Sequence, residues 1–190
     1  MGATFATPVA AVLLAIELLL FEYRARSIIP VALAASAATG VRMLLIGPGP
    51  VFAMAPITEP SWQALVAYVL LGAVIGLVAV GVTRTVYTIE DTFERLPVHW
   101  MWWPAIGAVA VGICGYLDPR ILGVGYVHIE EILSGTLVGW SLIALVALKF
   151  TAWSLYLGSG TSGGTLAPLF IIGGGVGAAI GTGINLVLPE

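Results

Sequence analysis

The residues best suited to chemistry form one string, Gly158-Ser-Gly-Thr-Ser-Gly-Gly-Thr-Leu-Ala-Pro168, followed by the apolar run Leu169–Leu188. A glycine and hydroxyl loop feeding an apolar helix leaves backbone N–H groups unpaired, and the helix start adds a partial positive charge. Unpaired backbone is tolerated at membrane depth only where protein or a water-filled cavity covers it. A helix start that aims N–H groups at such a cavity is an anion site. The spacing predicts that Thr165, Leu166 and Ala167 are the first helical residues and carry the free donors. Gly163 and Gly164 permit a tight approach to that turn. Pro168 has no N–H to leave unpaired and suits a first turn. A plain loop ahead of a span is the competing reading. A phosphate loop is excluded, because there is no Gly-Lys-Ser/Thr ending and no βαβ context.

Other candidates are weaker. Glu17 is an ionisable residue inside an apolar segment, which makes it a functional candidate; the alternative is a position near a span end facing water, Arg24 or a subunit interface. Ser159, Thr161 and Ser162 have no histidine or lysine companion that would activate a nucleophile, so no enzyme is expected. His128, in Gly125-Tyr-Val-His-Ile-Glu-Glu131, has no second histidine near enough in sequence to suggest zinc, and reads as part of a solvated connector. Cys114 is the single cysteine; it excludes an internal disulfide and a CxxC metal site, and reads as a buried thiol. Gly173, Gly177 and Gly181 repeat at four-residue spacing and form a bare stripe for close helix packing, as do Gly72 and Gly76.

The elements that must position these residues belong to a membrane. Hydrophobic residues make up 59% and charged residues 9% of the 190, with mean hydropathy +1.06. A soluble domain carries about a quarter charged residues. The net charge of −3 is too small to imply nucleic acid. Almost nothing precedes the apolar run Val9–Phe21, and no basic residue does, so a cleaved signal peptide is not expected. Apolar segments run over 8–21, 28–46, 64–86, 100–117, 137–157 and 166–188. A span takes about 20 residues. The first segment is short, and several are broken by glycine or proline. The pattern predicts an all-α, multi-pass membrane protein of tilted, broken and re-entrant helices.

Connectors set the expected orientation. The first holds Arg24 and Arg26, the third Arg84 and Arg95; the second, 47–63, has no basic residue, and the fourth has only Arg120. The positive-inside rule places the first and third in the cytoplasm. Trp62, Tyr87, Trp100, Trp102 and Trp103 fall near span ends, where aromatic side chains anchor in the interface.

The Gly158–Pro168 string with the following Leu-Phe-Ile-Ile-Gly-Gly-Gly-Val-Gly resembles the second-half anion motif of the CLC chloride channel and transporter family, G-x-F-x-P with its flanks. Phe5-Ala-Thr-Pro-Val-Ala-Ala-Val-Leu-Leu-Ala-Ile-Glu17 is similar to the family's F-N-x-P-L-A-G-x-L-F-x-x-E, and Lys149 matches a basic position ahead of the G-x-F-x-P loop. The resemblance covers nearly the whole chain. It implies chloride as the transported ion and no other cofactor, a voltage-gated chloride channel type of architecture, a cell-membrane location in the lipid bilayer, and a homodimer with one pore per subunit.

The departures carry expectations too. Leu166 stands where the family has Phe. The inner proton-relay glutamate of the family aligns with Leu18, one position after Glu17, which favours a passive channel. The family's G-S-G-I-P loop, its G-[KR]-E-G-P loop and a later tyrosine have no counterpart here. The resemblance therefore implies one incomplete transmembrane domain, residues 1–190, with 1–63 ending a first inverted half and 64–190 opening a second. It also implies a truncated fragment that supplies only part of a chloride cradle. The alternatives are a non-transporting membrane scaffold or decayed gene product, and a different anion transporter with a similar broken-helix loop.

Overall fold

The computed structural model describes residues 2–20, 22–52 and 60–187. Phe21 and Leu188, which figure in the expectations above, and residues 53–59 of the second connector lie outside them. Among the described residues every regular element is helical, and five helices are long and apolar enough to cross a membrane. The expected all-α class is thus observed. The chain divides into two compact units, 1–53 and 54–190.

In the first unit, α1 (Gly2–Phe5) and α2 (Pro8–Ala15) lead into a π-helical turn, Ile16–Leu20, and then α3 (Ala25–Ile46). Pro8 begins α2, where its missing N–H costs nothing. Between α1 and α2 the chain reverses at Ala6, whose φ is +53°, a left-handed conformation rare for a residue with a β-carbon. Gly2 packs so closely on α3 that an added Cβ would lie 2.8 Å from the Ala35 carbonyl oxygen. Beneath it Thr39 is buried, and its hydroxyl donates to the same carbonyl at 2.9 Å.

The second unit comprises α4 (Trp62–Glu94), a 3₁₀ turn (Trp100–Trp102) continuing into α5 (Trp103–Leu117), a second 3₁₀ turn (Pro119–Ile121), α6 (Tyr126–Leu133), α7 (Gly139–Gly158) and α8 (Leu166–Val187). α4 has 33 residues. At 1.5 Å per residue it is about 50 Å long, more than a bilayer's hydrocarbon core. Its last turns, which the sequence reading left to a connector, carry Glu90, Asp91 and Glu94 beyond the apolar stretch.

α7 is the central element of this unit. Leu142 and Leu145 are each 1% exposed, as is Ile171 on α8. Close approach depends on glycines that have no room for a side chain. A Cβ on Gly175 would lie 2.3 Å from Val146 Cγ2, joining α8 to α7. One on Gly158 would lie 2.6 Å from Ile89 Cγ2, joining α7 to α4. One on Gly107 would lie 2.6 Å from Ser159 Oγ, joining α5 to the end of α7.

α6 corrects the reading of 118–136 as a solvated connector. Its Ile129 and Ile132 are buried, and His128 is half-buried with both ring nitrogens engaged. An eight-residue helix whose buried positions are only one turn apart carries too little periodicity to stand out in the sequence.

Candidate anion site

The hydroxyl and glycine string begins at a fixed point. Ser159 is 1% exposed; its hydroxyl donates to the Tyr156 carbonyl at 2.6 Å and lies 3.0 Å from Thr161 Oγ1. Pressed against Gly107, it anchors the loop on α5. From Thr161 to Thr165 the chain is irregular, and residues 162–165 are exposed.

α8 opens at Leu166, one residue later than the spacing suggested. Thr165 is the residue before the helix, and its carbonyl accepts from Leu169 N–H at 3.1 Å. Leu166 and Ala167 form the first turn with Pro168 third. Among the described residues no hydrogen bond takes up the N–H of Thr165, Leu166 or Ala167. Thr165 is exposed, Leu166 half-buried, and Ala167 buried at 9%. Gly164 has open space where a Cβ would be, and Gly163 meets only the Tyr156 ring edge at 3.7 Å. The first turn therefore presents two or three donors of an apolar helix, along an approach free of side chains.

Beside this turn lies an open cleft of about 220 Å³, lined by Lys149, Trp153, Tyr156 and Pro168 and by the Ile121–Gly123 segment. Lys149 is 7% exposed. Its Nζ donates to the carbonyls of Ile121 at 2.6 Å and Gly123 at 2.9 Å. Among the described residues no carboxylate pairs with it. A buried ammonium is tolerated only when hydrogen-bonded, and here the carbonyl dipoles at the end of a 3₁₀ turn take that part. Lys149 thus fastens the α5–α6 connector to α7. Gly125 completes the fastening. Its φ of +82° suits glycine, and an added Cβ would lie 2.6 Å from Ile171 Cδ1 on α8. The family resemblance singled out Lys149 but gave no sign of its carbonyl partners, which lie 26 and 28 residues away.

Glu17 belongs to the first unit. It is exposed on the π turn and lines an open cleft of about 500 Å³ with Leu13, Ile16, Glu22 and Tyr23. Glu22 accepts from the Ser27 hydroxyl and pairs with Arg24 at 3.5 Å. Arg24 therefore engages Glu22, and no ion pair joins it to Glu17 among the described residues. A π turn winds an extra residue into the helix and re-aims the side chains around it, and such turns concentrate at functional sites.

Helices of membrane length, broken by glycine and proline, define a multi-pass class of membrane protein. The chain belongs to a particular one: the sequence profile of the voltage gated chloride channel family matches residues 1–190. The chain is 32% identical to Chloride channel protein CLC-f of Arabidopsis thaliana, over 97% of this chain and 26% of that protein. It is 31% identical to Chloride channel protein CLC-e of the same plant, over 84% of this chain and 24% of the relative. With the H(+)/Cl(−) exchange transporter ClcA of Vibrio campbellii the identity is 28%, over 100% of this chain and 42% of the relative. The chain thus spans between about a quarter and two-fifths of the length of these relatives.

Proposed function

We propose that this chain forms part of a transmembrane chloride pathway, in which the backbone N–H groups of Thr165, Leu166 and Ala167 donate to the passing anion. One observation carries the reading: these donors are unpaired at the start of a 22-residue apolar helix. Gly163 and Gly164 keep the approach bare, and Pro168 holds the turn without adding a donor. Partial charges from a helix end attract an anion less strongly than a full charge would, which allows release as well as entry. Membership of the chloride channel family and the two motifs support chloride over other anions.

In this reading residues 1–63 close one inverted half and 64–190 open the next, all within one transmembrane domain of a cell membrane. The functional unit is a homodimer, and no catalytic chemistry or further cofactor is involved. Glu17, exposed on its π turn, is the ionisable position to examine for proton coupling.

The experiment follows amide signals of the chain in lipid nanodiscs as chloride replaces gluconate. Shifts confined to residues 164–167, and weakened in Gly164→Leu, are expected. One helix start supplies only part of a desolvated cradle, and each missing donor costs about 1–3 kcal/mol, so binding should be weak. For the same reason liposomes holding this chain alone are expected to show no chloride flux. Unchanged amide signals would remove the anion site. Robust chloride-selective flux abolished by Gly164→Leu would show that these residues suffice for a complete pathway.

A further inference from the structure

His128 is the second histidine of the chain, and its surroundings have a feature the anion pathway does not use. Its Nδ1 lies 2.8 Å from Glu131 Oε2, and its Nε2 lies 3.0 Å from the Arg120 carbonyl oxygen. Both partners are acceptors only. A neutral imidazole carries one N–H and can satisfy one of them, leaving a nitrogen lone pair facing oxygen at the other. An imidazolium donates to both. The ring's side chain is 16% exposed and that of Glu131 41%, so water replaces a lost bond only in part.

The groups around the ring agree with a positive charge there. Glu131 on its own helix is the contacting carboxylate. From the adjoining 3₁₀ turn, Asp118 accepts from the Arg120 guanidinium at 2.8 Å to 3.1 Å. That bond holds the Asp118 carboxyl below its ordinary range, with a smaller contribution from His128. Arg120 is thereby neutralised by Asp118, with Glu131 also acting on it. From α7, the Lys149 ammonium is committed to the carbonyls of Ile121 and Gly123 in the same connector. Lys149 from α7, with two carbonyls, and His128 from α6, with one, therefore grip three carbonyls within residues 120–123.

We propose that His128 is a proton-operated latch on the α5–α6 connector: in its doubly protonated form it ties the Arg120 carbonyl to Glu131 and closes the connector onto α6. Doubly protonated, the ring donates at both ends and the latch is shut. When the ring loses one proton one of its two bonds is lost, and the connector keeps the other together with the Lys149 bonds and the packing of Gly125 on Ile171 and of Leu122 on Gly115. Acid on the face that bathes this connector stiffens the segment seated against α8, the helix that opens at Leu166 just after Thr165.

The test is hydrogen exchange of the detergent-solubilised chain at pH 5.5 and 8.0, corrected for the intrinsic pH dependence of exchange. Amides of 119–133 are expected to be about fivefold better protected at pH 5.5, the scale of one charge-assisted bond at a partly exposed site. Amides of 142–152 in α7 should not respond. His128→Gln should abolish the pH response, and Glu131→Gln should reduce it to less than about twofold. A flat or inverted response in the unsubstituted chain would overturn the latch, as would a full response surviving in either variant. A readout independent of substitution at the latch is the ¹⁵N spectrum of the imidazoles, with His99→Gln used for assignment. Two protonated ring nitrogens at pH 5.5 and one at pH 8.0 are expected for His128; a singly protonated ring at both pH values would also overturn it.

Discussion

At the scale of single residues, Lys149 is the sharpest case. A lysine in an apolar helix next to an anion motif invites the view that its charge faces the ion. Instead both of its hydrogen bonds go to main-chain carbonyls of the connector. Lys149→Met removes those donors and keeps the stem. The carbonyl of buried Ile121 is then left without its donor, whereas that of exposed Gly123 can turn to water, at a cost of about 1–3 kcal/mol. A lower unfolding midpoint in detergent should show this, with exchange rising first at 119–125; an unchanged midpoint would mean the ammonium contributes nothing net. Ala6 is a second case. Its φ of +53° is strained for alanine. The similar family motif, F-N-x-P, carries at this place an asparagine, which tolerates that conformation. Ala6→Asn is therefore expected to stabilise the first unit by about 0.5–1 kcal/mol, read as a raised unfolding midpoint; a fall would show that the side chain, and not the backbone, governs the position.

At the scale of elements, legibility in the sequence followed the strength of the local signal. The start of α8 was legible to within one residue because glycine, threonine and proline punctuate it. The spans α3, α5 and α7 were legible because about 20 apolar residues have few other uses. The π turn was not legible, since one extra residue per turn leaves no compositional mark. Nor was the order among the glycines. Gly173, Gly177 and Gly181 drew attention by their spacing, yet an added Cβ at any of them meets nothing within 4 Å. Gly175, outside that stripe, makes the tight contact with Val146. The two kinds should separate on substitution. Gly175→Ala forces α7 and α8 apart and should cost about 1–3 kcal/mol. Gly177→Ala enters open space and gains helix propensity, for about 0.5–1 kcal/mol of stabilisation. If both variants unfold alike, the α7–α8 contact is not set by Gly175. The three are half-buried with open space where a Cβ would be, so among the described residues no helix packs tightly on the stripe.

At the scale of the whole molecule, the arginines predict orientation, and one span offers a direct check. α5 with its preceding 3₁₀ turn runs from Trp100 to Leu117 and is apolar enough to cross a bilayer. The segment before it carries Arg84 and Arg95, whereas the one after it carries only Arg120, engaged with Asp118. The positive-inside rule therefore puts Val98 in the cytoplasm and Val124 on the far side. Both are solvent-accessible handles, at 40% and 55% exposure. Val98→Cys and Val124→Cys, each in a Cys114→Ser background, can be probed with a membrane-impermeant maleimide. In intact cells Val124→Cys should label and Val98→Cys should not; in inside-out vesicles the pattern should invert. Labelling of both from one side would mean that α5 does not cross the membrane. The inverted pattern in intact cells would mean that another span outweighs these arginines. The orientation also decides which compartment addresses His128: with Val124 outside, the proposed latch responds to external acid, on the face where the α5–α6 connector meets α8, the helix with the proposed anion donors.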